Sequence, residues 1–259
     1  MIELPDSATF AAILADRRFV AALAIATTSG LVRGFSGFGS ALIYMPLIAS
    51  VYDPRIAAVT LLLVDFTCSS PFALAELRRC TWAEVVPIAV AMTVTVPLGT
   101  WLLIVLDPTV LRWAIAIVVL GLVIVLMSGW RYRGPSSLPM TTGVGLVAGI
   151  GAGAAQVSGP PVILYWLSRG NNAVTLRANL MVFFFFCGLV LIGVYALQGL
   201  FTARPIALAL MFGPTYIAGV AIGSRMFKSA SDRLYRNVAY AICILAALLS
   251  LPVLDSLLR

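Results

Sequence analysis

The sequence predicts an all-helical membrane protein that crosses the bilayer several times. Of its 259 residues 61% are hydrophobic and only 10% are charged, whereas a soluble domain carries about 25% charged residues. The apolar residues also form long uncharged blocks, such as 178–197, and about 20 such residues cross the hydrocarbon core of a bilayer. Blocks of this length predict helices, because open strands cannot satisfy their backbone groups in lipid.

An internal repeat divides the chain into two halves. Residues 30–34 (GLVRG) recur as 145–149 (GLVAG), an offset of 145 − 30 = 115 residues, and Pro46 matches Pro161 at the same offset. A later match, Gly99 with Gly223, has an offset of 223 − 99 = 124 residues. We therefore expect two homologous repeats. They cover residues 1–130 and 139–259, with a polar linker at 131–138.

Each half is expected to contain a glycine-rich stretch followed by three transmembrane helices. The pair Asp107-Pro108 is typical of an N-cap with proline at the first helical position, so it marks the start of the third span. The glycine-rich stretches cover 20–50 and 140–168, and the spans lie near 56–76, 83–106, 110–130, 173–197, 204–227 and 235–254.

The first glycine-rich stretch is too long for one crossing and too short for two, since it would form a helix of about 46 Å. Its centre, 34–40 (GFSGFGS), is poor helix material because each glycine costs about 1 kcal/mol relative to alanine. We expect a helix that breaks here and either re-enters or continues as a half-helix. A re-entrant pair leaves three crossings per half and makes the repeats inverted. A single crossing would make them parallel.

The basic residues favour one orientation of the inverted arrangement. Ten of them fall on one side of the membrane and six on the other, and the positive-inside rule then places the richer side in the cytoplasm. The ten are Arg78, Arg79, Arg131, Arg133, Arg169, Arg177, Arg225, Lys228, Arg233 and Arg236.

The composition argues against several functional classes. The chain contains no histidine, which excludes a histidine triad, a histidine proton relay and any histidine-liganded metal site. Its cysteines show neither metal-ligand nor disulfide spacing, so we expect no metal centre and no cofactor. No water-soluble stretch is long enough for a soluble catalytic or nucleic-acid-binding domain. Because the spans also lack paired carboxylates and a Ser-Lys dyad, we do not expect an enzyme. The cysteines are Cys68, Cys80, Cys187 and Cys243.

Glycine-interrupted segments in corresponding positions of two halves indicate the binding site of a secondary transporter. A break exposes N–H groups at a half-helix N-terminus, where the helix dipole places about half a positive charge. An anion can bind there without a charged side chain, and two converging breaks would enclose a small oxyanion. The alternative is that the glycines only let helices approach closely. The expected binding residues are Gly34, Ser36, Gly37, Gly39 and Ser40 in the first break, and Gly151, Gly153, Gln156, Ser158, Gly159 and Pro160 in the second.

Three polar residues within the spans are further candidates. Asp65 is expected to be a proton or sodium coupling site, because a buried intramembrane charge is costly and marks function. The alternative is a neutral carboxyl that is hydrogen-bonded to a neighbouring hydroxyl. Arg177 and Asn179 open the 173–197 span, where the planar guanidinium of arginine suits an oxyanion. The alternative for Arg177 is a side chain that snorkels to the interface.

These motifs resemble the TauE/SafE sulfite exporter family, also called the toluenesulfonate uptake permeases. The resemblance rests on 34–39 (GFSGFG) with Pro46 downstream, on 158–165 (SGPPVILY), and on 177–179 (RAN). Where family members often carry a further glycine, this chain has Ser40.

The resemblance implies a multi-pass transporter of the bacterial inner membrane that moves sulfite, sulfonates such as sulfoacetate, or related small organic anions. Transport would proceed by alternating access and would be driven by an ion gradient rather than by ATP. The expected partners are the anion, a proton or sodium ion, and the lipid bilayer, with no nucleic acid. A passive anion channel and a carrier of a non-sulfur organic anion are the alternatives.

Overall fold

A computed structural model of the protein describes residues 3–36, 39–128, 137–167, 169, 173–226, 244–245, 248 and 251. All regular secondary structure in these residues is helical. The described helices are α1 (Ser7–Ala15), α2 (Arg18–Ser36), α3 (Ser40–Val51), α4 (Pro54–Glu76), α5 (Trp82–Val105), α6 (Pro108–Met127), α7 (Leu138–Ala155), α8 (Gly159–Leu167), α9 (Ala173–Leu197) and α10 (Ala203–Met226).

Six of the described helices, α4, α5, α6, α7, α9 and α10, are long and apolar enough to cross a membrane. The predicted all-α membrane fold is therefore confirmed. Five of the six predicted spans correspond to α4, α5, α6, α9 and α10, with boundaries that differ by at most a few residues. The sixth, 235–254, lies outside the described residues apart from four positions, and so does most of the predicted linker.

The start of α6 agrees with its predicted N-cap. The helix begins at Pro108, and the Asp107 carboxylate accepts a hydrogen bond of 2.8 Å from the Thr109 N–H. This bond holds the pKa of Asp107 below its ordinary value, because it stabilises the ionised carboxylate. The cap thus fixes the residue at which α6 begins after the turn at the end of α5.

The surface of α5 is apolar on both of its faces. One face, which includes Val85, Ile88 and Met92, is buried in the protein. The opposite face is equally apolar but exposed, and it carries Val86, Val90, Val94, Leu98 and Trp101. A helix that is hydrophobic all round belongs in a large core or in a membrane. The exposed stripe therefore indicates contact with lipid.

The chain forms two compact units, and each is assembled from both halves of the sequence. The first unit comprises residues 1–64, 106–124 and 199–259, and the second comprises 65–105 and 125–198. In the first unit α2 packs along α10, and in the second α7 packs along α5. The expected repeat relates α2 to α7 and α5 to α10. Each unit therefore pairs the glycine-rich helix of one half with a long helix of the other.

The helix boundaries recur at a nearly constant offset. The ends of α2 and α7 differ by 155 − 36 = 119 residues, and the starts of α3 and α8 by 159 − 40 = 119 residues. This offset exceeds that of the matching glycines by four residues, which is about one helical turn. Because glycines recur every four residues in α7, the sequence of α2 can be aligned with it in two registers that differ by one helical turn. Homology and inversion of the two halves remain predictions.

In the first unit, α3 turns back along α2. The Arg18 guanidinium at the start of α2 donates a hydrogen bond of 3.4 Å to the carbonyl of Val51, the last residue of α3. Gly39 precedes α3 with a left-handed backbone, φ 92°, which glycine adopts without steric cost. The first broken helix is thus a hairpin, and its re-entry into the membrane remains a prediction.

The second unit contains a similar hairpin. The hydroxyls of Thr141, near the start of α7, and Tyr165, near the end of α8, are hydrogen-bonded at 2.5 Å. Because residues far from the break contact each other, α8 also returns along α7. It is shorter than α3, with nine residues against twelve.

The hairpins lead to a testable prediction of orientation. If they re-enter, the loop between α4 and α5 lies on the basic-rich, cytoplasmic side, and Cys80 lies in that loop. In a variant whose other cysteines are alanine, we expect an impermeant maleimide to label Cys80 in inside-out vesicles but not in intact right-side-out vesicles. Burial raises the pKa of the Cys80 thiol, so labelling should accelerate as the pH rises toward 9 and the reactive thiolate forms.

The matched control is Asp107→Cys, introduced into a variant without the four native cysteines. One span, α5, separates Cys80 from position 107, so this cysteine should be labelled only from the opposite side. Labelling of both positions from the same side would contradict the predicted crossing.

Candidate functional site

The second break is a three-residue connection between α7 and α8. Gln156 has φ 58° and ψ 16°, and within the described part of the chain it is the one non-glycine residue with positive φ. Its N–H donates to the Ala152 carbonyl at 3.0 Å, and the Val157 N–H donates to the Gly151 carbonyl, also at 3.0 Å. Together these bonds close α7 in the manner of a left-handed C-cap. A left-handed non-glycine residue is uncommon, and such residues cluster at functional sites.

Directly after this connection, α8 begins with Gly159 and Pro160, both buried. Proline is suited to the first turn because the N–H that it lacks would have no partner within the helix. The positive end of the α8 dipole therefore points toward 156–158, where it favours a negative charge.

Side chains of α9 contact the connection. The Cys187 thiol donates to the Ser158 hydroxyl oxygen at 3.8 Å, and both residues are buried. The Tyr195 hydroxyl donates to the Gly153 carbonyl at 3.0 Å and accepts a long bond of 3.4 Å from the Gln156 side-chain amide. Neither Cys187 nor Tyr195 was expected at the site. The available signal was the hydroxyl of Tyr195 in an apolar span, since a buried tyrosine needs a hydrogen-bond partner.

The three predicted binding glycines of the second break have three different surroundings. At Gly151 the space of a Cβ atom is occupied by the Val157 carbonyl, so the turn after α7 requires glycine there. At Gly159 a Cβ would lie 3.0 Å from the Phe184 ring. At Gly153 it would meet the backbone of α5 at Val96 and Thr100. Close helix packing, the alternative explanation for these glycines, therefore accounts for Gly153.

Asn179 is buried and its side-chain amide is engaged at both ends. Its oxygen accepts from the Thr81 N–H at 2.7 Å, and its nitrogen donates to the Glu84 carboxylate at 2.9 Å. The Glu84 carboxylate also lies 3.9 Å from the Arg169 guanidinium. This network ties the start of α9 to the start of α5. Arg177, two residues before Asn179, is exposed.

The first break belongs to the first unit. Gly34 lies in α2, where a Cβ would meet the Val220 carbonyl of α10, so it serves close packing. Ser36 ends α2, Gly39 makes the left-handed turn, and Ser40 is buried as the first residue of α3. The side chain of Ser36 and all of Gly37 lie outside the described residues.

Asp65 lies within α4 and is partly buried. Six residues later, Pro71 interrupts the interior of the same helix. Because proline lacks an N–H, it cannot donate the regular helical hydrogen bond to the Thr67 carbonyl. The acid therefore lies less than two turns before a proline within a candidate membrane span.

The chain matches a known protein family. The family described as sulfite exporter TauE/SafE matches residues 22–250. This range includes most of the first hairpin, the whole of the second with its α7–α8 connection, and Asp65. No curated protein matches the chain, and no solved structure matches it.

Proposed function

The chain belongs to the sulfite exporter TauE/SafE family, and on that premise we propose that it is a secondary transporter for sulfite, sulfonates such as sulfoacetate, or a related small organic anion. The family match and the six candidate spans identify a multi-pass protein of a membrane transport family, in keeping with the bacterial inner membrane. The substrates, alternating access and coupling to a proton or sodium gradient belong to the proposal.

The observation that carries the proposal is the α7–α8 connection. There the positive end of α8, the buried Ser158 hydroxyl and the left-handed Gln156 occur within four residues of one another. Each supplies a hydrogen-bond donor or positive potential and none supplies a full charge. A site of this kind binds an anion and can also release it, because no fixed cation has to separate from the anion.

The oxygens of a sulfonate or sulfite group fit these donors. Three charged oxygens on one sulfur can accept hydrogen bonds from several directions at once, and hydrogen bonds to charged acceptors are the stronger class. The remaining part of an organic anion would face α9, whose Phe184 ring lies beside Gly159. Small anions with a short organic group therefore suit the connection.

Replacement of Ser158 by alanine is expected to weaken sulfoacetate transport by raising KM about tenfold to hundredfold. The physical reason is the loss of one hydrogen bond to a charged acceptor, worth about 1.5–3 kcal/mol. The measurement is the concentration dependence of uptake into proteoliposomes.

The matched control is Ser128→Ala, which removes an exposed hydroxyl directly after α6 that donates to the Val125 carbonyl at 2.8 Å. It should keep the KM of the unaltered protein. An unchanged KM in Ser158→Ala would contradict the proposed site. Linear, non-saturating flux in the unaltered protein would contradict a carrier and favour a channel.

A further inference from the structure

Trp166 contains a buried hydrogen-bond donor without a partner. The residue is fully buried at 0% exposure, and its indole Nε1 has no hydrogen-bond partner in the part of the chain that the structure describes. Most buried polar groups in proteins are paired, because an unpaired donor loses its bond to water and gains nothing. A buried donor of this kind, near the end of α8, therefore calls for an acceptor that binds there.

Trp166 lies on the same face of α8 as Gly159, the residue that directly follows the connection. Seven residues, about two helical turns or 10 Å, separate it from Gly159. Both residues face α9: Gly159 is beside Phe184, and the Trp166 ring packs edge-on against Phe183 with a centroid distance of 6.1 Å. Long side chains in helices lean toward the N-terminus, and for Trp166 that is the direction of the connection.

The chemistry of the indole restricts what it can bind. Its N–H group donates and cannot accept, so this group recognises a hydrogen-bond acceptor and not a cation. The neighbouring Phe183 ring is also fully buried, and a hydrogen bond strengthens in such water-poor surroundings. A hydrogen bond from this N–H to a charged oxygen would therefore be strengthened most.

We propose that the Trp166 indole N–H is a second hydrogen-bond donor for the transported anion, on the α8–α9 surface beyond the α7–α8 connection. The proposal rests on the proposed function, because it takes the ligand to be an anion with sulfonate-like oxygens. Trp166 then determines specificity: it favours anions whose oxygens reach it while a second part of the molecule occupies the connection.

The test uses the full-length protein in nanodiscs, with ¹⁵N-labelled tryptophan and sulfoacetate as the probe. The chain has five tryptophans, and the Trp166 signal is identified by its loss in Trp166→Phe. Sulfoacetate should move this indole proton signal downfield as a new hydrogen bond forms. In Trp166→Phe, which keeps an aromatic ring, the affinity should fall about tenfold to hundredfold.

The control is Trp101→Phe on the exposed face of α5, which should bind sulfoacetate like the unaltered protein. If the unaltered protein binds the probe but the Trp166 signal does not move, the proposal is overturned and the proposed function stands. If the Trp166 indole proton signal already lies downfield without the anion, a bound water is the acceptor, and this result would also overturn the proposal. Absence of binding of both sulfoacetate and sulfite would overturn the proposed function itself. If Trp166→Phe does not fold, Trp166→Tyr is used to assign the signal. The shift that sulfoacetate causes in the unaltered protein then tests the proposal.

Discussion

Replacement of Gly153 by alanine is expected to prevent normal folding, although it adds a single methyl group. A Cβ at this position would lie 2.6 Å from the Thr100 nitrogen and 2.9 Å from the Gly99 carbonyl carbon, and it would also overlap the Val96 carbonyl. These are backbone atoms of α5, so no side-chain rotation can relieve the overlap. Helices α5 and α7 would have to move apart along the surface where small residues let them touch.

The expected loss of stability is at least about 1–3 kcal/mol, the usual cost of overpacking a well-packed core. The matched control is Gly143→Ala in the same helix, where nothing lies within 4 Å of the added carbon. It should match or exceed the unaltered protein in stability, since alanine is the better helix former by about 1 kcal/mol. The measurement is the yield of monodisperse protein in detergent together with its melting temperature.

The first unit offers a second pair of variants. Gly34→Ala should disturb the packing of α2 on Val220, whereas Gly213→Ala in α10 adds a carbon that meets nothing within 4 Å. Normal melting of both Gly153→Ala and Gly34→Ala would contradict the packing role of these glycines. It would leave ligand binding as the explanation for them.

The sequence was sufficient to locate five of the six predicted spans and both breaks, because the bilayer imposes a simple rule on each local segment. Apolar length predicted α9, and Asp107 followed by Pro108 predicted the start of α6. The glycine clusters marked both hairpins. Each of these features is readable within about 20 residues of chain, the length of one crossing.

The roles of individual site residues could not be predicted in the same way, because they depend on partners far away in the chain. Asn179 is hydrogen-bonded to Thr81 and Glu84, which are 98 and 95 residues distant. Gly153 and Gly151 are two residues apart, yet one packs against another helix and the other accommodates a turn. No local sequence pattern distinguishes such neighbours, because the difference lies in which part of the chain packs against each glycine.

Replacement of Asp65 by asparagine is expected to abolish gradient-driven accumulation while it preserves exchange of the anion. Asp65 is a partly buried acid within the candidate span α4, and an acid in that position is retained despite the cost of burying its charge. We propose that it binds the coupling proton or sodium ion. Asparagine has nearly the same shape but can neither ionise nor release a proton. The bound anion could still cross, but without the coupled ion.

The magnitude follows from the energy of the gradient. One proton moved down a pH gradient of one unit supplies about 1.4 kcal/mol, which corresponds to about tenfold accumulation of the anion. In proteoliposomes with such a gradient, or with a tenfold sodium gradient, the unaltered protein should reach that ratio with one of the two ions. Asp65→Asn should equilibrate sulfoacetate at a ratio of one, whereas counterflow against internal sulfoacetate should continue.

The control is Asp107→Asn, which alters an acid that caps α6 outside the spans and keeps a side-chain oxygen that can accept from Thr109. It should accumulate sulfoacetate normally. If Asp65→Asn also accumulates normally, Asp65 is a structural acid, held in place by hydrogen bonds, and coupling must use another group. If the variant loses counterflow together with accumulation, Asp65 acts in anion binding or folding rather than in coupling, and a melting curve separates these two roles. Only loss of accumulation with retained exchange fits a coupling residue, because only coupling distinguishes the two modes of transport.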